Sequence, residues 1–102
     1  IKVVKGGLRL PLERQEEFIG IMQKNNRVQV PVLIRWKHRL EPSEILHIYV
    51  YHAKDYKGEK FYVRLSRDGR FTIPSKAAKR INVKPGDVLE VTLYPEINHT
   101  DE

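Results

Sequence analysis

The chain has 102 residues, enough for one small domain with one modest core. Hydrophobic residues make up 40% and charged residues 31%, the balance of a folded globule rather than a disordered tail. No cysteine is present, which excludes disulfides and thiolate metal sites and favours an intracellular setting, and no apolar run approaches the ~20 residues that span a bilayer.

Net charge is +6, unevenly spread: residues 87–102 hold five acids and no Lys or Arg, leaving residues 1–86 with 19 basic and 8 acidic side chains. A body of that sign suits a polyanionic partner such as nucleic acid. A well-charged surface with no partner is the competing explanation.

Residues 1–15 form an N-terminal extension in which Leu8, Leu10 and Leu12 alternate with Arg9 and Pro11. Period two there fits an extended segment with one apolar side. Residues 16–96 make a single domain of two repeats, 18–51 and 61–94, and 97–102 are an acidic tail.

The repeats align without a gap at a shift of 43 residues. Phe18 meets Phe61, Arg27 meets Arg70, Pro31 meets Pro74, Pro42 meets Pro85, Leu46 meets Leu89 and Tyr51 meets Tyr94. Apolar pairs such as Val28 with Phe71 and Ile48 with Val91 fill the intervals. Matched prolines with matched core positions mark a duplication.

Each repeat reads as strand, turn, strand, helix, turn, strand. Phe61, Val63 and Leu65 alternate with Tyr62, Arg64 and Ser66, as a half-buried strand requires. Asp68-Gly69, and Asn25-Asn26 before it, supply residues that tolerate positive φ in a tight hairpin. Pro74 ends the second strand and Ser75 is the expected N-cap of a helix running to about Ile81, with Ala77, Ala78 and Ile81 as its apolar side. Pro85-Gly86 has the order of a type II turn. One ββαβ unit is too small to fold alone, so the two share a core.

The run RDGRFTIPSKAAKRINVKPGDVLEVTLYPE resembles the DNA-binding domain of the AbrB/MazE-like swapped-hairpin (SpoVT-AbrB) family. That family carries a similar glycine-arginine strand ending in proline, a basic helix and a Gly-Asp turn into a last strand. The match covers 61–94; repeat one joins it through its alignment, with Ser43-Glu44 in place of Gly86-Asp87. Two units fused in one chain also resemble the double-psi β-barrel. The implied fold is mainly β with two short helices, a pseudo-two-fold β-barrel of two ββαβ repeats, and the strand connection of either family satisfies it.

Residues 60–84 place Lys60, Arg64, Arg67, Arg70, Lys76, Lys79, Arg80 and Lys84 against one acid, Asp68. The resemblance implies that basic residues at Arg64, Arg70 and Lys79 contact DNA. The expected duplex-binding set is Arg64, Arg67, Arg70, Lys76, Lys79 and Arg80, helped by Arg27, Arg35, Lys37 and Arg39. In repeat one, Val32, Leu33 and Trp36 replace Ser75, Lys76 and Lys79. Their spacing puts them on one side of a helix, expected to be covered by Leu8, Leu10 and Leu12 or by a second chain. Base stacking by Trp36 between Arg35 and Lys37 is the alternative.

No catalytic motif appears: the serines lack a nucleophile elbow and Gly6-Gly7 has no phosphate-loop continuation. His38, His47, His52 and His99 form no spaced metal set, and His47 and His52 are expected to have no carboxylate cluster nearby. The sequence thus predicts a non-enzymatic, cofactor-free, prokaryotic, cytoplasmic and nucleoid-associated protein. It would bind duplex DNA as a transcriptional regulator or architectural protein, alone or as a homodimer, with no membrane and no small-molecule substrate. The rival is a protein-interaction module of double-psi type that recognises substrates beside a larger ATPase.

Overall fold

The computed structural model describes residues 14–95, where six strands and two α-helices follow one another in two equivalent series. The first is β1 (Glu16–Ile21), β2 (Arg27–Gln29), α1 (Val32–His38) and β3 (Ile45–His52). The second is β4 (Lys57–Arg64), β5 (Arg70–Thr72), α2 (Ser75–Arg80) and β6 (Val88–Tyr94). The fold is mainly β, with antiparallel sheets and two short helices. The leucines expected to cover α1, Leu8, Leu10 and Leu12, lie outside the described residues, as does the acidic tail.

Strand pairing exchanges the halves. A four-stranded sheet has the order β1-β6-β3-β4, and β2 pairs with β5 in a separate two-stranded ribbon. The first strand of each half therefore pairs with the last strand of the other. Registers obey the 43-residue shift: Phe18 pairs with Val91, and its counterpart Phe61 pairs with Ile48. Two pairs, Tyr49 with Thr92 and Val28 with Phe71, join equivalent positions and so mark the pseudo-two-fold axis.

This corrects the expected hairpins. The loops do close locally, by Gln23 N–H to Arg27 O at 2.7 Å and Ser66 N–H to Arg70 O at 2.8 Å. Positive φ falls where expected, at Asn25, Asn26 and Gly69. But the flanking strands part into different sheets instead of pairing with each other. Each loop is then locked by its twin's strand: Gly69 O accepts from Val30 N–H at 2.9 Å and Asn26 O from Ile73 N–H at 2.8 Å. A loop carbonyl of one half thus extends the ribbon of the other.

The core lies between the four-stranded sheet, the ribbon and α2. Leu46, Ile48, Val50, Leu89, Val91 and Leu93 come from the sheet, Val28 and Phe71 from the ribbon, and Ala77, Ala78 and Ile81 from α2 and its end. Period-two alternation puts these sheet residues inward and their neighbours outward. Ser75 is not the N-cap of α2: Pro74 holds that position with extended backbone, and Ser75 is the first helical residue. Proline suits a helix start because it forfeits only a donor that has no intrahelical partner.

The turn into each last strand is also duplicated. Asp87 N–H donates to Lys84 O at 3.0 Å across Pro85-Gly86, and Glu44 N–H donates to Glu41 O at 3.2 Å across Pro42-Ser43. Asp87 and Glu44 side chains then accept from the Lys84 and Glu41 amides at 2.9 and 2.7 Å. Glutamate therefore does in the first half what aspartate does in the second. Gly86 has φ 96° and Ser43 has φ 73°, so only one copy uses the residue that the left-handed region favours. Ser43→Gly is expected to raise stability by about 0.5–1 kcal/mol, relief of side-chain strain exceeding glycine's added chain entropy. Urea denaturation checks it, and a lower midpoint would show that Ser43 is unstrained.

Candidate nucleic-acid interface

The β2–β5 ribbon buries Val28 and Phe71 and turns Arg27, Gln29, Arg70 and Thr72 to its other side. The pseudo-two-fold relates Arg27 to Arg70, so two guanidinium groups flank the axis. Both reach Asp68. Arg27 Nη2 is 3.1 Å from Asp68 Oδ1 and 3.1 Å from Ser66 Oγ, and Arg70 Nη1 contacts Asp68 Oδ2. The Ser66 hydroxyl foremost, then the charges of Arg27 and Arg70, hold the Asp68 carboxyl below the ordinary aspartate range. Gln29 Nε2 donates to the carbonyls of Asp68 and Gly69, both at 3.1 Å.

One turn therefore orients the polar side chains of the ribbon. Arg35 adds to it: its Nε donates to Val30 O at 3.1 Å, and its guanidinium covers Gly69, where a Cβ would fall 2.4 Å from Arg35 Cζ. Its φ of 81° is what favours glycine at position 69, and the Arg35 guanidinium lies in the space that a side chain there would take. Arg70 Nε is buried and has no hydrogen-bond partner among the described residues.

The remaining expected contacts divide into free and committed charges. Arg67, Arg39, Lys76 and Lys79 are exposed and, among the described residues, make no side-chain hydrogen bond or ion pair. Lys76 and Lys79 project opposite the buried Ala77 and Ala78, as the helix pattern predicts. Arg64 is exposed and donates to Ser43 O at 2.9 Å. Lys37 and Arg80, by contrast, are equivalent positions doing equivalent work. Lys37 Nζ lies 2.9 Å from Glu16 and Arg80 Nη2 lies 2.8 Å from Glu59, each tying a helix to the first strand of its own half.

Val32, Leu33 and Trp36 remain open among the described residues; Leu33 and Trp36 are each 70% exposed. The inner side of α1 holds Ile34 half-buried and His38 buried. His38 is the residue sequence reasoning missed. It occupies the position of Ile81, and its Nε2 donates to Glu16 Oε2 at 2.7 Å. Its alignment with Ile81 was the available signal.

The bonds from His38, then Lys37, lower the Glu16 pKa. A lowered carboxylate contributes its full stability above its unfolded pKa, so this contribution should begin to fade as the pH falls below about 4 and be gone only below the lowered folded value. Glu16→Ala leaves a buried imidazole without its acceptor and should cost about 1–3 kcal/mol at neutral pH. The deficit in urea midpoint should shrink in acid; a pH-independent deficit would mean that packing, not charge, is lost.

His52 also departs from expectation, for it does have carboxylates beside it. The buried ring donates from Nδ1 to Ile81 O at 3.0 Å, with Asp87 Oδ2 3.5 Å from Nε2 and Asp55 Oδ2 3.7 Å from Nδ1. These acids come from separate loops that only the fold brings together. Asp87 and Asp55 are also bonded to the Lys84 amide and Asn82, and among the described residues no group of three or more His, Asp or Glu is placed to hold a metal.

No family model matches, and no curated protein matches. Among solved structures, the chain is similar to the solution structure of PHS018 from Pyrococcus horikoshii. The two share 25% identity with a TM-score of 0.71, over 85% of this chain and 100% of that one. The likeness supports the arrangement of strands and helices described above. Among the described residues, no helix is long and apolar enough to cross a membrane.

Proposed function

We propose that the chain binds duplex DNA through the β2–β5 ribbon and the free cations beside it, as a transcriptional regulator or an architectural protein of the nucleoid. The observation that carries this reading is the pair Arg27 and Arg70, set about a pseudo-two-fold axis on a solvent-facing two-stranded ribbon. The major groove admits such a ribbon, and arginine can read guanine there while lysines hold phosphates. Arg67, Lys76 and Lys79 are the free charges for the backbone. Asp68 orients the arginines in the absence of DNA.

The exchange of strands between halves fits an interleaved, pseudo-two-fold barrel of the swapped-hairpin or double-psi kind. Kinship with the AbrB/MazE family rests on the motif in residues 61–94 and on that exchange. A second reading is favoured by α1: Val32, Leu33 and Trp36 form an exposed apolar strip suited to a protein partner, as in an interaction module.

Salt separates the two readings. Duplex affinity should fall steeply between about 50 and 200 mM salt, because phosphate neutralisation releases counterions. Absence of binding to random-sequence duplex at the lower salt would sink the DNA reading and leave the interaction module.

A further inference from the structure

The outer face of the four-stranded sheet carries a feature that the ribbon does not use. Strand parity brings His47, Tyr49, Tyr51, Tyr62 and Tyr94 to one side of β6, β3 and β4. Tyr94, His47 and Tyr62 stand in one cross-strand row. His47 stacks on Tyr62 at 4.4 Å with planes 10° apart, and Tyr94 lies 5.4 Å from His47. Tyr62 is on the edge strand and 60% exposed, so the stack ends at solvent.

In the next row Tyr49 leans across the edge strand. A Cβ on Gly58 would fall 2.1 Å from Tyr49 Oη, so the ring occupies the space a side chain would take. Tyr51 is nearly parallel to it, 18° apart with centroids at 6.4 Å. Two cations of β4 share this face: Lys60 reaches across β3 to place its Nζ 5.2 Å over the Tyr94 centroid, and the exposed Arg64 follows Tyr62 along the edge strand. The acids, Glu17 and Glu90, lie toward β1.

We infer that this face binds a short single-stranded nucleic acid, with bases stacked on Tyr49 and Tyr62 and phosphates along Lys60 and Arg64. Stacking needs exposed ring faces and tolerates any base, and the two cations, set apart from Glu17 and Glu90, give the backbone its course from Lys60 to Arg64. Base stacking on these rings is closed to the interior of a duplex, whose bases are already stacked on one another. Cross-strand aromatic pairs also stabilise sheets, but that role does not require an open end at Tyr62 or cations beside the rings. The inference is independent of duplex binding by the ribbon.

The test is fluorescence anisotropy of the full chain with a fluorescein-labelled oligothymidylate and oligouridylate of about a dozen nucleotides, beside a blunt duplex, at low salt. Wild type should bind the single strands. Tyr62→Ala and Tyr49→Ala should each weaken that binding about tenfold or more, while duplex affinity stays unchanged. Tyr49→Phe should retain binding, and Gly58→Val, which displaces the Tyr49 ring, should lose it. Thermal melts identify any variant that fails to fold; Tyr62→Ala, at an exposed edge, then decides. The inference is overturned if neither oligonucleotide binds, or if folded Tyr62→Ala binds both as wild type does. It is equally overturned if Tyr62→Ala abolishes self-association in sedimentation but not oligonucleotide binding, which would give the face to a second copy.

Discussion

Phe71→Ala should remove about 3–5 kcal/mol of stability, the largest loss expected from a truncation to alanine among the described residues. Phe71 is 1% exposed and pairs with Val28, its own equivalent, at the pseudo-two-fold axis. Its ring centroid lies 6.5 Å from that of Phe61, tilted by 50°. The axis is where the halves meet, and there a phenylalanine faces a valine. Phe71 therefore supplies most of the side-chain volume at that point. On the first half, Val28 Cγ1 sits 2.9 Å from where a Cβ on Gly20 would be, so the valine takes up space that the glycine leaves free.

Truncation at 71 opens a cavity that neither the three-residue strand nor its equally short partner can easily close. Domains of this size have total stabilities of about 4–12 kcal/mol, so the variant should be partly unfolded near physiological temperature. Val28→Ala, with less volume removed, should cost about half as much. Urea denaturation followed by far-UV circular dichroism checks both. A Phe71→Ala loss under about 1.5 kcal/mol would mean that the ribbon does not unite the halves.

The duplication was legible in the sequence because its markers are local. Pro31 and Pro74, Pro42 and Pro85, and the alternating apolar residues each announce their own turn or strand. The inward set of β4 and β6 and the cationic side of α2 follow from period alone. Strand partners were not legible, because the exchange of β1 and β4 between halves depends on closing a common core and not on either hairpin loop. His38 was missed since polarity outweighs position in a composition-based reading, although the alignment with Ile81 identifies it as internal.

The commitments of Lys37 and Arg80 to Glu16 and Glu59 were hidden for a related reason. Each glutamate lies 21 residues from its partner, and nothing local connects them. Charge counting treats all cations alike, whereas the fold divides them into free, oriented and paired groups. Arg67, Lys76 and Lys79 are free; Arg27 and Arg70 are oriented by Asp68; Lys37 and Arg80 are structural ties. That division sharpens which residues the DNA reading needs.

The combined variant Arg67→Ala, Lys76→Ala and Lys79→Ala should lose duplex affinity on the order of a hundredfold near 0.1 M salt. Each phosphate neutralised by a protein cation adds about 0.9 to the slope of log affinity against log salt. If all three side chains meet phosphates, the slope should fall by about 2–3. Stability should barely move, since all three are exposed and none bonds another side chain. Lys37→Ala with Arg80→Ala is the opposite control. It removes two charges that hold helices to strands, so its larger effect should be on the melt. An unchanged salt slope in the triple variant, with a wild-type melt, would exclude these cations from the interface. Affinity lost without a change in slope would instead indicate contacts that release no counterions. The slope is therefore the readout that decides the part of these three cations, since it follows the number of phosphates they neutralise.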